Sequence, residues 1–298
     1  MNPLKNLLII ILFFTSFACS GQKDYLVTIT TEKGEIKAIL FDDTPEHKSN
    51  FIKLAEDGRF DSTEFHRVMK NFMVQGGDVF SKEGLPPAEW PTIQAEIKPN
   101  HYHRKGMIAA ARQGAGVNPM KRSNGSQFYI AIGKIYKEEE LKADMEKLQP
   151  AFMQYVQIGS QEALRTEYSR LYKAQQFDSL TMLIISKREE IEKSLNLNLS
   201  KDFTPQQITA YTTIGGTPHL DKEYSVFGEV ISGLEVAEEI SKVETGARDK
   251  PLSPIYMKVK VEKMSRKKNS KRLWLRLSRI QVKRKYLLLE PMDFWVKS

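Results

Sequence analysis

The chain has 298 residues, 41% of them hydrophobic and 10% aromatic, with a formal net charge of +8. That is enough apolar material for one full core and an appendage, which excludes a wholly disordered protein. The charge does not make the chain a nucleic-acid binder, because residues 265–298 carry eleven Lys and Arg against two Asp and Glu, more than the whole net charge, and leave the rest near neutral.

Residues 1–18 hold Lys5, an unbroken apolar run from Leu7 to Phe14, and small residues ahead of the only cysteine, Cys19. This is the three-part pattern of an export signal, and the run is too short for a membrane span, which needs about 20 apolar residues. Ser16-Phe17-Ala18-Cys19 is similar to a bacterial lipobox, which implies a lipid-modified Cys19 as mature N-terminus, followed by a linker over 19–24. Ordinary secretion with a free thiol is the alternative. A single cysteine permits no intrachain disulfide even in an oxidising compartment.

Tyr25 to Thr31 and Glu35 to Phe41 alternate apolar and polar residues around Glu32-Lys33-Gly34, the pattern of a β-hairpin. Thr44-Pro45-Glu46 predicts a helix capped by the Thr44 hydroxyl, running to about Asp57 and stopping at Gly58. Its buried stripe is Phe51, Ile52, Leu54 and Ala55. In Phe65 to Asp78, FHRVMKNFMVQGGD, alternation predicts a strand with Phe65, Arg67 and Met69 on one face. A second short strand, Phe72 to Gln75, would set apolar and amide groups beside the guanidinium. Taken alone, Arg67 reads as a side chain whose stem covers core while its head reaches water.

Ser81 to Asn100, rich in proline and charge, predicts a long surface connection. His101 and His103 have no third or fourth metal ligand nearby in sequence and read as surface or strand-edge histidines. The loop over 112–122, RQGAGVNPMKR, lacks P-loop spacing and a following helix, so it is expected to flank a substrate.

From Lys134 to Thr212 the composition turns to Glu, Lys, Leu and Gln. Apolar residues fall at helical spacing in three runs, around Leu148, Leu171 and Ile184, interrupted by Pro150 and Gly159, and Thr204-Pro205 starts a last short helix. The expectation is a helical insertion over 134–212, mostly self-packed. The tail over 265–298 mixes Lys and Arg with Trp274, Tyr286 and Trp295. It reads equally as a basic segment for a membrane surface or acidic polymer, or as an appended, disordered sequence with no evolved role.

Three ordered segments carry a family resemblance. The Phe65 to Asp78 stretch, Gly106 to Arg112 with Ser123-Asn-Gly-Ser-Gln127-Phe128-Tyr129-Ile130, and Thr217 to Val230 with Leu220-Asp221 and Val226-Phe227-Gly228 together resemble the cyclophilin-type peptidyl-prolyl cis/trans isomerases. The resemblance covers residues 25–133 and 213–264. It implies a mainly β fold, a closed antiparallel barrel capped by helices. It also implies catalytic Arg67 with Gln75 orienting its guanidinium, and a proline pocket of Phe72, Met73, Tyr129 and Leu220 with Phe227 beneath. His66, Ala111 and Gln127 would line the groove, with Arg112 and Tyr224 at positions where the family carries substrate contacts.

Four positions depart from the family pattern. Tyr129 stands for phenylalanine, its hydroxyl expected at the pocket mouth; Arg112 stands for asparagine, His219 for tryptophan and Tyr224 for histidine. The implied reaction needs no proton transfer, metal or cofactor, only a site that favours a twisted amide over a planar one. The implied partners are proline-containing peptides and unfolded envelope proteins, with the membrane reached through the N-terminal lipid, and not nucleic acid. The alternative is a non-catalytic proline-peptide or chaperone module acting through the helices, though a pure binder has no need of both Arg67 and Gln75.

Overall fold

The computed structural model describes residues 23–265. The stretch read as an export signal, Cys19 and the basic tail beyond Ser265 lie outside the described residues. The chain opens with the expected hairpin, β1 (Lys23–Thr31) and β2 (Gly34–Leu40), paired from Thr31 opposite Gly34 to Leu26 opposite Ile39. Helix α1 (Pro45–Glu56) follows, burying Phe51, Ile52, Leu54 and Ala55 as its spacing predicts.

The cap of α1 differs from expectation. The Thr44 hydroxyl turns back to the carbonyl of Phe41 at 3.3 Å, and the carboxylate of Glu96 accepts the backbone N–H groups of Glu46 and His47 at 3.2 and 3.0 Å. A full negative charge meets the positive end of the helix better than a hydroxyl does. The same carboxylate accepts from His47 Nδ1 at 2.6 Å, and His47 Nε2 accepts the Ser123 hydroxyl at 2.8 Å. This buried row braces the 81–100 connection against α1, so that connection is more than a surface loop.

Short strands β3 (Thr63–Glu64), β4 (Arg67–Met69) and β5 (Met73–Gly76) come next, then the single turn α2 (Val79–Lys82) and β6 (Thr92–Ile93). Strands β7 (Met107–Ala110), β8 (Ser123–Asn124) and β9 (Phe128–Ala131) complete the first part. After six helices the chain returns through β10 (Val226–Ser232), then a seventh helix and β11 (Tyr256–Ser265). Nine strands form one antiparallel sheet in the order β3-β11-β1-β2-β10-β7-β9-β5-β4, while β6 pairs separately with β8.

The sheet curls around a core that includes Val27, Ile36, Phe60, Val74, Ile108, Phe128, Ile130 and Phe227 with the α1 stripe. Its end strands, β3 and β4, are consecutive in the chain, linked by Phe65 and His66, but among the described residues no ladder joins them. The closed barrel expected from sequence is therefore a curled antiparallel sheet. The break between β3 and β4 also separates residues expected on one face: Phe65 is in the core, whereas Arg67 and Met69 point to the other side of Val68.

Between β9 and β10 run α3 (Glu138–Lys142), α4 (Met145–Tyr155), α5 (Glu162–Lys173), α6 (Phe177–Ser186), α7 (Arg188–Leu195) and α8 (Pro205–Thr213). A second apolar cluster, including Leu148, Phe152, Leu171, Ile184, Ile191 and Leu199, takes its buried members from Ala143 to Leu199 alone. Pro150 does not end a helix. It lies in the second turn of α4, where the lost hydrogen bond is offset by burial of Leu148, Ala151, Phe152 and Tyr155. Helix α8 starts as predicted, with Thr204 and Gln207 forming a reciprocal cap.

Candidate active site

Alternation along β5, β7 and β9 builds two apolar faces at once. Val74, Ile108, Ala110, Phe128 and Ile130 enter the main core, while Met73, Met107, Ala109, Ala111 and Tyr129 form a separate buried cluster with Leu220 and Val226. With both faces covered, these strands are apolar at nearly every position, Gln75 being the polar exception, and periodicity alone does not reveal which residues face a site. Phe72 and Tyr224 pack at the margin of this pocket-floor cluster, and over it lies a cavity of about 460 Å³.

Arg67, Gln75, Phe72, Met73, Ala111, Arg112, Gln127, Tyr129, Leu220 and Tyr224 all line that cavity. The remaining two predicted residues do not. His66 lies behind Gln75, its Nε2 3.4 Å from the amide nitrogen. Burial holds the His66 imidazole below its ordinary pKa. Phe227 is in the main core against Phe51 and His47, because on β10 it is Val226 that faces the pocket-floor cluster. Leu220 sits in a one-turn helix, Pro218–Leu220, and not in a strand.

Arg67 stands opposite Gln75 in the β4–β5 ladder. Its Nε donates to Asp249 Oδ2 at 3.3 Å and its Nη2 to Met69 Sδ at 3.4 Å. Gln75 donates instead to Gln127 Oε1 at 3.0 Å, so it orients Gln127 and not the guanidinium as expected. With 43% of its side chain exposed, Arg67 lies at the rim of the cavity.

Arg112 is part of the wall. Its guanidinium lies 4.6 Å from the centre of the Tyr224 ring and donates to the carbonyl and carboxylate of Glu223 at 2.8 and 2.9 Å. His219 stacks on Phe72 with ring centres 5.3 Å apart, and burial keeps its imidazole below the ordinary pKa.

Two sequence expectations fail together at Tyr129. Its hydroxyl is not at the pocket mouth; it bonds to Nε2 of His103 at 2.9 Å, inside the protein. His103 is 0% exposed and no surface histidine, and its Nδ1 donates to Asp221 Oδ1 at 3.0 Å. Burial, with Tyr224 and Asp221 nearby, raises the Tyr129 phenol well above its ordinary pKa, so it stays a hydroxyl donor. His101 is also tied down, bonded to Asp43 at 2.7 Å and stacked on Phe41.

Two features of the site escaped the sequence reading. Trp90, from the 81–100 connection, lines the cavity and donates its indole N–H to the Leu85 carbonyl at 2.9 Å. Arg122 lines it too, as expected of the 112–122 loop, with hydrogen bonds to Thr92 and Gln94. Asp249 reaches Arg67 from 182 residues away. A tryptophan in a polar loop was a usable signal; nothing local marked Asp249.

The family model for cyclophilin type peptidyl-prolyl cis-trans isomerase/CLD matches residues 26–159 and 200–261. A Streptococcus pyogenes protein provisionally named a bifunctional phosphatase/peptidyl-prolyl cis-trans isomerase is 27% identical over 235 residues, which are 78% of this chain and 37% of that one. A Staphylococcus aureus protein provisionally named a peptidyl-prolyl cis-trans isomerase is 26% identical over 239 residues, 79% of this chain and 90% of that one. The crystal structure of a cyclophilin type peptidyl-prolyl cis-trans isomerase from Cryptosporidium parvum aligns with a TM-score of 0.46 at 20% identity, covering 81% of this chain and 98% of that one. The family match takes in nearly all of the curled sheet and every residue lining the cavity, and on it the chain belongs to the cyclophilin-type peptidyl-prolyl cis-trans isomerases.

Proposed function

We propose that this chain isomerises X-Pro peptide bonds of exported proteins, with Arg67 stabilising the twisted amide above an apolar pocket for the proline ring. The observation that carries the reading is the convergence of Arg67, Gln75 and Gln127 with Phe72, Met73 and Leu220 on one cavity. Rotation about a peptide bond has a barrier of about 20 kcal/mol, set by conjugation of the nitrogen lone pair with the carbonyl. Twisting breaks that conjugation and returns the lone pair to nitrogen. A guanidinium, charged at any working pH, is a permanent N–H donor for that nitrogen or its neighbouring carbonyl. The apolar floor excludes the water that would favour the planar, more dipolar amide. Gln75, by holding Gln127, supplies an oriented amide for the substrate backbone.

Residues 134–212 are read as a helical subdomain inserted in the isomerase fold over 25–133 and 213–264. Support comes from a second apolar cluster whose buried members all lie in that stretch. The leader over 1–18 and the lipobox-like Cys19 support a lipid-anchored protein of the cell envelope, acting on unfolded envelope clients. An exchange assay on an X-Pro tetrapeptide tests the activity: acceleration of cis/trans interconversion is expected, and its absence in folded protein leaves the binding-module reading. For the anchor, Cys19→Ala is expected to release the exported protein from membranes, and unchanged partition rules the lipid out.

A further inference from the structure

Behind the pocket floor runs a buried row of hydrogen bonds that the isomerase reaction does not use. It begins at the Tyr129 hydroxyl, passes through the His103 ring at 2.9 and 3.0 Å, and reaches Asp221. Asp221 Oδ1 also accepts the His103 backbone N–H at 2.8 Å. From the other side, the hydroxyl of Tyr211 on α8 donates to the same carboxylate at 2.7 Å, and Gln207 Nε2, also on α8, donates at 3.2 Å. Because a carboxylate only accepts, the neutral His103 ring carries its proton on Nδ1, which leaves Nε2 to accept the Tyr129 hydroxyl.

Tyr211 and His103 are both 0% exposed, so no water competes for these bonds. Asp221 directly follows Leu220, itself a floor residue, so whatever holds Asp221 acts on two parts of the floor. The backbone is tied at the same place. Gly216 donates to Lys134 at 3.0 Å, Lys105 to Gly215 at 2.9 Å, and Thr217 to the carbonyl of His103 at 2.8 Å. A Cβ on Gly216 would lie 2.3 Å from that carbonyl oxygen, so the chain leaving α8 is pressed against His103 with no slack.

We propose that Tyr211, Asp221 and His103 are positioning residues through which helix α8 sets the place of the Tyr129 ring, so that the helical segment acts on proline binding from behind the pocket. This rests on the reading of the cavity as the proline site. A buried polar hub that serves stability alone has the same bonds, and the two are separated by whether a change at Tyr211 is felt through Tyr129.

The test is a double-mutant cycle on the full-length protein, with kcat, KM and tetrapeptide affinity measured for the parent, Tyr211→Phe, Tyr129→Phe and the double variant, each checked for folding. Tyr211→Phe is expected to raise KM about five-fold with kcat changed less than about two-fold, and to have little further effect once Tyr129→Phe has cut the row. Gln207→Glu, which keeps the side-chain acceptor of the α8 cap but repels Asp221, is expected to raise KM in the same Tyr129-dependent way. It serves as the probe if Tyr211→Phe does not fold. An equal effect in both backgrounds, or no effect on KM in the parent background, overturns the coupling while leaving the isomerase intact. A folded parent that neither turns over nor binds the peptide overturns the pocket assignment and this inference with it.

Discussion

Asp249 accepts a hydrogen bond from Nε of Arg67 at 3.3 Å. It is carried on a tight turn in which Arg248 and Asp249 both have φ of 59°, and the turn is closed by Gly246 donating to Lys250 at 2.8 Å and by a bridge from Thr245 to Pro251. The left-handed backbone places the carboxylate at the edge of the guanidinium. Nε is thereby occupied, which limits where the rest of the head can swing. Both side chains are about 40% exposed, so the pair itself is worth at most about 1 kcal/mol.

Asp249→Ala should therefore act through positioning and little else. Loss of one exposed ion pair predicts a fall in kcat/KM of about two- to five-fold, with the thermal midpoint nearly unchanged. High salt should shrink the difference between parent and variant. A loss beyond about 100-fold would mean that Asp249 takes part in the chemistry more directly than a surface pair can.

In the proposed mechanism Arg67→Ala removes the donor assigned to the twisted amide. Loss of a preorganised donor of this type predicts a fall in kcat of about 100-fold or more. Because the side chain is 43% exposed, stability should change by less than about 1 kcal/mol. Near-parent turnover in a folded Arg67→Ala variant, measured by exchange on an X-Pro peptide, would sink the arginine mechanism.

Tyr129→Phe restores the residue common in the family, yet it should destabilise this chain. The hydroxyl it removes is the partner of His103 Nε2, and a buried acceptor left unsatisfied costs about 1–3 kcal/mol. Urea unfolding of the two proteins checks this. An equal or higher midpoint for the variant would show that His103 finds another partner.

Acidification should weaken the fold through histidines. Burial lowers the pKa of His47, against the opposing pull of Glu96, and burial likewise lowers those of His66 and His219. Below their unfolded value of about 6.5 the unfolded chain binds more protons than the folded one, so the stability present at neutral pH is lost as pH falls from there toward the folded values. Carboxylates held below their usual range, such as Asp43 and Asp144, act only near pH 4 and lower. The urea midpoint should drop between about pH 7.5 and 5.5, and His66→Gln should flatten that slope. A midpoint constant over this range would contradict the assignment.

Replacing Glu138 to Asp202 with a short Gly/Ser linker should leave a folded isomerase. The deletion takes out the entire second apolar cluster and spares Tyr211 and Gln207, while loop closure changes by only about 0.6 kcal/mol per doubling of length. Activity on a tetrapeptide should survive and activity on an unfolded protein should fall. Failure to fold would refute the boundary, and full activity on unfolded protein would leave the helices without a client role.

Sequence alone determined the hairpin, α1 and its buried stripe, the helical character of the 134–212 stretch and the start of α8, because period and capping residues are local properties. It also determined ten residues that line the cavity, since they stand inside three family segments. Only the tertiary structure decided the partners. Glu96 caps α1 from 49 residues away, Asp249 reaches Arg67, and Gln75 turns to Gln127 and not to its ladder neighbour. Only the fold put Phe227 on the core face and brought Asp221 between His103 and Tyr211. A side chain's periodicity is written in its neighbours along the chain, whereas its hydrogen-bond partner depends on which distant backbone arrives within 3 Å, and no local pattern encodes that distance.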